Sequence, residues 1–109
     1  MIETNVVLHM TMEEEYLAVV QQLGLVESKD WMGGHGFAFR LFANKSGTIS
    51  MVAPGTDAEF GVQSVGTVNA ALVAFCALER FRPKVYINAG TAGASASSGL
   101  EVGEVVVAT

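Results

Sequence analysis

Val6-Val7-Leu8-His9-Met10, running into Thr11-Met12-Glu13-Glu14-Glu15-Tyr16-Leu17, is the stretch that decides the fold. The first segment is short, β-rich and apolar apart from His9, the pattern of a buried strand. Polarity then changes within a residue. Thr11 suits a helix N-cap, with Glu14 three residues on in capping-box position. Three adjacent carboxylates sit where the positive end of a helix dipole favours them. Leu17, Val20 and Leu23 recur at helical spacing, and Gly24 is a natural stop. A buried strand passing through a tight turn into a helix is the opening unit of an α/β domain.

Further along, Trp31 to Gly36 reads as a loop, and Phe37–Phe42 and Thr48–Ala53 read as strands. Asn44-Lys45-Ser46-Gly47 between them has hairpin-turn chemistry. Pro54-Gly55-Thr56-Asp57 then breaks the sheet. Ser64–Phe81 is the strongest helix, and Ala70 to Leu78 is an unbroken apolar run of nine residues. Such a helix has no polar stripe and needs cover on both sides. One side can lie on the sheet. A second copy of the chain, or further polypeptide, would cover the other. Arg80, Arg82 and Lys84 sit near the helix's negative end, and Pro83 blocks its continuation. Val85-Tyr86-Ile87-Asn88 is the next buried strand, leading into the small-residue loop Ala89–Gly99, and Val102–Ala108 reads as a last strand. The order strand, helix, two strands, helix, strand, loop, strand predicts an α/β fold with a mixed, largely parallel central sheet. Two helices are few for covering both faces of that sheet, so the expectation is part of a larger fold.

Composition narrows the function. The chain has 109 residues, enough for one domain, and is 50% hydrophobic against 16% charged. That excludes a disordered tail. Eleven acidic against six basic residues give a net charge of −5, so no nucleic-acid partner is expected. No apolar run reaches the roughly 20 residues of a membrane span, and residues 1–20 carry no basic leader. One cysteine, Cys76, cannot form an internal disulfide, which points to a reducing, cytoplasmic setting.

Ligands of open α/β sheets bind beyond the carboxyl ends of the strands. Two such ends are chemically marked here: Thr11-Met12 with the glutamates, and Gly90-Thr91-Ala92-Gly93. The glycine loop permits close backbone approach to a ligand, although a turn chosen for packing looks the same. It matches neither a Walker loop nor GxGxxG. No Lys or Arg follows Lys84, so a neutral nucleoside fits better than a nucleotide. Adjacent helix residues fan out about 100° apart, so at most one glutamate faces the sheet's mouth. Spacing does not say which, and a solvated first turn is the plain alternative for any of them. His9 reads as a satisfied buried histidine and His35 as a loop residue; neither has metal-ligand spacing. Cys76 reads as an inert small hydrophobe. Met10, Met12 and Met51 suit either a thioether-accepting pocket or irregular core space.

Met12-Glu13-Glu14-Glu15 resembles the Met-x-x-Glu opening of the 5'-methylthioadenosine/S-adenosylhomocysteine nucleosidases, members of the nucleoside phosphorylase superfamily. Ser64–Ala71, Pro83–Gly93 and Val102–Val106 are similar to further segments of that family, in the same order. Val52–Ala58 with Ser64–Val68 most resembles its plant-type branch. The resemblance implies a nucleoside-phosphorylase-like (Rossmann-like) three-layer sandwich, with residues 1–109 as the N-terminal half of a single domain, hence a truncated one. It implies hydrolysis of the N-glycosidic bond of methylthioadenosine or S-adenosylhomocysteine, in methionine salvage, with no cofactor and no metal. By that resemblance Glu15 activates the attacking water, Thr91 helps to bind substrate, and Ala92 and Gly93 lie beside the purine. Met12 and Val65 would line the pocket. Related phosphorylases carry a phosphate-binding arginine where this chain has Asn88, which favours water as nucleophile; Ala94 replaces a usual glycine. The family's ribose-binding segment and purine-protonating aspartate belong to the half that this chain does not match. An inactive nucleosidase fragment, or a phosphate-using relative, are the alternatives. The apolar helix over residues 64–81 and the resemblance together predict a homodimer.

Overall fold

A computed structural model describes residues 4–29, 38–56 and 66–108. In chain order the elements are β1 (Val6–His9), α1 (Glu13–Gln22), β2 (Val26–Ser28), β3 (Arg40–Ala43), β4 (Ile49–Ala53), α2 (Thr67–Phe81) and β5 (Val85–Asn88), then a single 3-10 turn at Ala96–Ser98. They build one five-stranded sheet in the order β2-β3-β4-β1-β5. β1 lies parallel to both its neighbours, β4 and β5, while β3 pairs antiparallel with β2 and β4. The sheet is therefore mixed, with its parallel part centred on β1.

Alternation along the strands sends side chains to two faces. From β1, Val7 joins Leu41, Val52 and Phe39 on one face, where Val73 and Ala77 of α2 cover them. Met10, beyond the strand, joins Phe42, Met51 and Ala53 on the other, against Tyr16 of α1. Helix, sheet and helix make three layers, as the resemblance implies. Met10 and Met51 are core residues, whereas Met12 is 37% exposed.

Between β3 and β4 the hairpin forms over Asn44–Gly47 as expected. The Gly47 amide donates to the Asn44 carbonyl at 3.0 Å, and the Asn44 side-chain oxygen accepts from the Ile49 amide at 3.1 Å. Gly47 has φ +76°, conformational space that favours glycine.

Several expectations need correction. α1 is capped by Met12, not Thr11, and the residue reaching back to the cap amide is Glu15, not Glu14, at 3.4 Å. Methionine offers no capping oxygen, so that reciprocal half of a capping box is missing. The inward stripe of α1 is Tyr16, Val19 and Val20; Leu17 and Leu23 are 47% and 43% exposed. The helix does end as predicted, with Gly24 at φ +62° and the Leu25 amide bonded to the Val20 carbonyl at 2.9 Å.

Within the described residues α2 starts at Thr67, while Ser64 and Val65 lie outside them. Phe37, His35 and the loop Trp31–Gly36 lie outside them too. Residues 102–108 form no strand among the described residues, although their apolar pattern suits one. A strand needs a ladder partner, and among the described residues β5 carries none on its outer edge. β2 has no apolar pattern of its own and exists through its pairing with β3.

His9 is only half satisfied. Its Nδ1 meets the Tyr86 hydroxyl at 2.6 Å, while its buried Nε2 has no partner among the described residues. Burial pushes the imidazole below its ordinary pKa and the Tyr86 phenol up to about 12. The pair ties β1 to β5 next to the sheet edge from which both marked turns emerge.

Candidate active site

β1 and β5 are hydrogen-bonded neighbours with His9 opposite Asn88. The Ala89 amide donates to the His9 carbonyl at 3.0 Å, extending the ladder one residue past β5. Their carboxyl ends consequently deliver two turns side by side: Met10–Met12 leading to α1, and Ala89–Thr91. Parallel pairing makes this unavoidable, because both strands point the same way. Segments 76 residues apart in sequence meet there.

Glu15 and Thr91 are in direct contact. The Thr91 amide donates to Glu15 Oε2 at 2.7 Å, and the Thr91 hydroxyl donates to the same oxygen. Among the described residues Glu15 Oε1 accepts only the long bond from the Met12 amide, which leaves it capacity for a water molecule. The loop runs close to the carboxylate: a Cβ at Gly90 would sit 3.9 Å from Oε2. The Thr91 hydroxyl and then its amide hold the Glu15 carboxyl below the ordinary glutamate range, against a smaller opposing effect of burial. The carboxylate is ionised at neutral pH.

The other glutamates go elsewhere. Glu13 turns to the opposite flank of α1 and pairs with Arg40 Nη1 at 3.2 Å, while Glu14 is exposed. The structure thus brings Glu15, Thr91 and the Met12 backbone together. Ala92 and Gly93 follow Thr91 in an exposed loop. Val65 lies outside the described residues, so its position is not part of this geometry.

Arg40 carries no motif. Its signal is being the lone cation in the apolar run Phe37–Phe42. A hollow of about 480 Å³ beside Ser28, Phe39, Arg40 and Thr56 includes neither Glu15 nor Thr91. Cys76, half-buried in α2, has its thiol pushed up by burial and is poorly suited to act as a nucleophile. No helix among the described residues is long and apolar enough to cross a membrane.

Comparison with known proteins places the chain in a family. Residues 5–109 match the family model of the phosphorylase superfamily. The 5'-methylthioadenosine nucleosidase of Arabidopsis thaliana is 38% identical over 104 residues, covering 94% of this chain and 39% of the relative. The 5'-methylthioadenosine/S-adenosylhomocysteine nucleosidase of the same plant is 33% identical over 106 residues, covering 95% of this chain and 42% of the relative. The apo structure of the A. thaliana 5'-methylthioadenosine nucleosidase superposes with a TM-score of 0.81 at 35% identity, covering 94% of this chain and 43% of that one. The chain thus spans about two-fifths of the length of the curated relatives it matches. In fold and in sequence alike, the chain belongs to the phosphorylase superfamily, and its relatives there are nucleosidases of methylthioadenosine and S-adenosylhomocysteine.

Proposed function

We propose that residues 1–109 form the N-terminal part of a nucleosidase domain that hydrolyses 5'-methylthioadenosine, or S-adenosylhomocysteine, to adenine and the corresponding thioribose, in methionine salvage. The observation that carries this reading is the bonded pair Glu15–Thr91 at the carboxyl ends of two parallel strands. Water attacks the anomeric carbon as the bond to the adenine nitrogen breaks, through an oxocarbenium-like state. Glu15 Oε1 takes the water's proton. Adenine leaves with the bonding electrons and takes up a proton from solvent or from an acid outside this chain. Thr91 orients Glu15 by occupying Oε2, Ala92 and Gly93 pass beside the purine, and Met12 with Val65 would wall the pocket. A reducing, cytoplasmic setting suits the single thiol of Cys76.

The test is reverse-phase detection of adenine from methylthioadenosine, with and without phosphate. Adenine and methylthioribose are expected in equal amounts at a rate independent of phosphate. Phosphate-dependent formation of a ribose 1-phosphate would assign the chain to the phosphorolytic relatives instead.

A second reading has its own supporting observation. Residues 90–95 are exposed and Thr91 keeps Glu15 a weak base. Water-excluded sites strengthen such chemistry, and an open one does not. On that reading the 109-residue chain binds nucleoside weakly without turning it over. Heat of binding in calorimetry with no adenine formed would select it.

The homodimer belongs to the same proposal. The outward face of α2 exposes Val68 at 71% and Phe75 at 68%, beside Leu78. A helix face of this kind suits a second copy. Sedimentation should give a dimer at micromolar concentration and a monomer for Phe75→Glu. A monomeric wild type would remove this part of the proposal.

A further inference from the structure

We propose that Arg40 is a positioning residue: it fixes the rotation of α1 so that Glu15, and neither of its neighbours, meets Thr91. The inference deepens the reading of Glu15 as the water-activating group and rests on it for its meaning, though not for its test.

The geometry is a two-sided tether. In the sheet order, β3 and β5 lie on opposite sides of the β4–β1 pair. Arg40 projects from the start of β3 and Thr91 follows β5. Glu13 and Glu15 are two residues apart on α1, hence about 200° apart around it. One reaches Arg40, the other Thr91. Glu13 and Tyr16 are three residues apart and share a helix face. Arg40 Nη1 donates to both, to Glu13 at 3.2 Å and to the Tyr16 hydroxyl at 2.8 Å. A single guanidinium thus grips the first turn of α1 at two points, and a twist that frees Glu15 from Thr91 breaks both.

Arg40 is itself anchored. Its Nε and Nη2 donate to the two Glu27 oxygens at 2.7 and 3.2 Å, and its guanidinium carbon lies 4.9 Å from the centroid of the Phe42 ring. The planar fork of arginine supplies this set of bonds at once; a lysine ammonium does not. The helix gains from such a hold because Met12 provides no capping oxygen, which leaves the long bond from the Met12 amide to Glu15 as the side-chain restraint at the cap.

The experiment follows the Glu15 carboxyl carbon and the Thr91 amide by NMR through an acid titration, without substrate. Thr91→Val sets the full scale, since it removes the hydroxyl that does most to hold the Glu15 carboxyl down. Arg40→Met is expected to move the Glu15 midpoint upward by most of that amount and to shift the Thr91 amide; Arg40→Lys falls between. Val73→Ala, which loosens the α2 side of the core, is expected to move neither signal. A merely structural Arg40 would lower the thermal midpoint and leave Glu15 and Thr91 unmoved, and that result overturns the proposal. Should Arg40→Met fail to fold, Glu13→Ala removes one grip without touching the core and is expected to shift the Thr91 amide in smaller measure; an unmoved Thr91 amide there also overturns the proposal. Because no turnover is read, a chain with no nucleosidase activity still answers the question.

Discussion

On the proposed mechanism, Glu15→Gln is expected to slow adenine release from methylthioadenosine by about 10²–10⁴-fold, the usual contribution of a general base, which corresponds to roughly 3–5 kcal/mol in the barrier. The replacement is nearly isosteric. A glutamine oxygen still accepts the Thr91 amide and hydroxyl, so the turn and helix remain in place. What disappears is the lone pair that takes the water's proton. The accompanying loss of helix stability, from removing an anion near the positive end of the dipole, is only about 0.3–1 kcal/mol, too little to unfold the chain. Fold integrity by circular dichroism therefore separates a chemical loss from a structural one.

The pH profile carries an independent signature. The Glu15 carboxyl is held below the ordinary glutamate range by Thr91. The proposed base is thus ionised at neutral and mildly acidic pH, and the proposed activity is expected to fall only as pH drops through that lowered value. In Thr91→Val the acid limb moves to higher pH. Equal rates for wild type and Glu15→Gln at every pH would take Glu15 out of the mechanism.

Gly55→Ala is the substitution with the largest expected effect on stability. Gly55 is buried just past β4 with φ +81°, and a Cβ there would lie 2.1 Å from the Ala38 carbonyl oxygen and 3.2 Å from its carbon. Left-handed backbone costs an L-residue about 1–2 kcal/mol, and forcing an extra carbon into a packed site adds about 1–3 kcal/mol. Neither neighbouring atom is a flexible side chain, so relief requires moving the backbone that leads into β3. A combined loss of about 2–5 kcal/mol is a large share of the 5–15 kcal/mol that holds a typical domain. Gly24→Ala is the matched control: φ is +62°, but the space around it is open, so only the backbone part applies. Denaturant unfolding of the two variants should differ by the packing contribution. Equal losses would mean that the loop at Gly55 yields without cost.

Apolar runs made β1, β4, β5 and α2 legible from sequence, and Asn44–Gly47 made the hairpin legible. Each of those signals is local. β2 was not legible, because Val26-Glu27-Ser28 acquires strand geometry only from Ala43, Phe42 and Leu41 opposite. Val102–Ala108 errs the other way, since its pattern is a strand's while its ladder partner is not among the described residues. Leu17 and Leu23 shared a period with Val20 and still face outward, because the sheet chooses which side of α1 is inside. The site divides along the same line. Spacing narrowed the base to three glutamates and no further, and only the resemblance singled out Glu15. The discriminating contacts, Arg40 with Glu13 and Thr91 with Glu15, join residues 27 and 76 positions apart, a range at which sequence pattern is silent.

The uncovered valines near the end of the chain have a practical side. Val105-Val106-Val107 are exposed, and among the described residues the outer edge of β5 has no ladder partner, the combination from which intermolecular cross-β ladders grow. Glu104 is the nearest guard charge on that tract. Glu104→Ala removes that repulsion between stacked copies and added salt screens it, so concentrated stocks of the unaltered chain keep best in low salt.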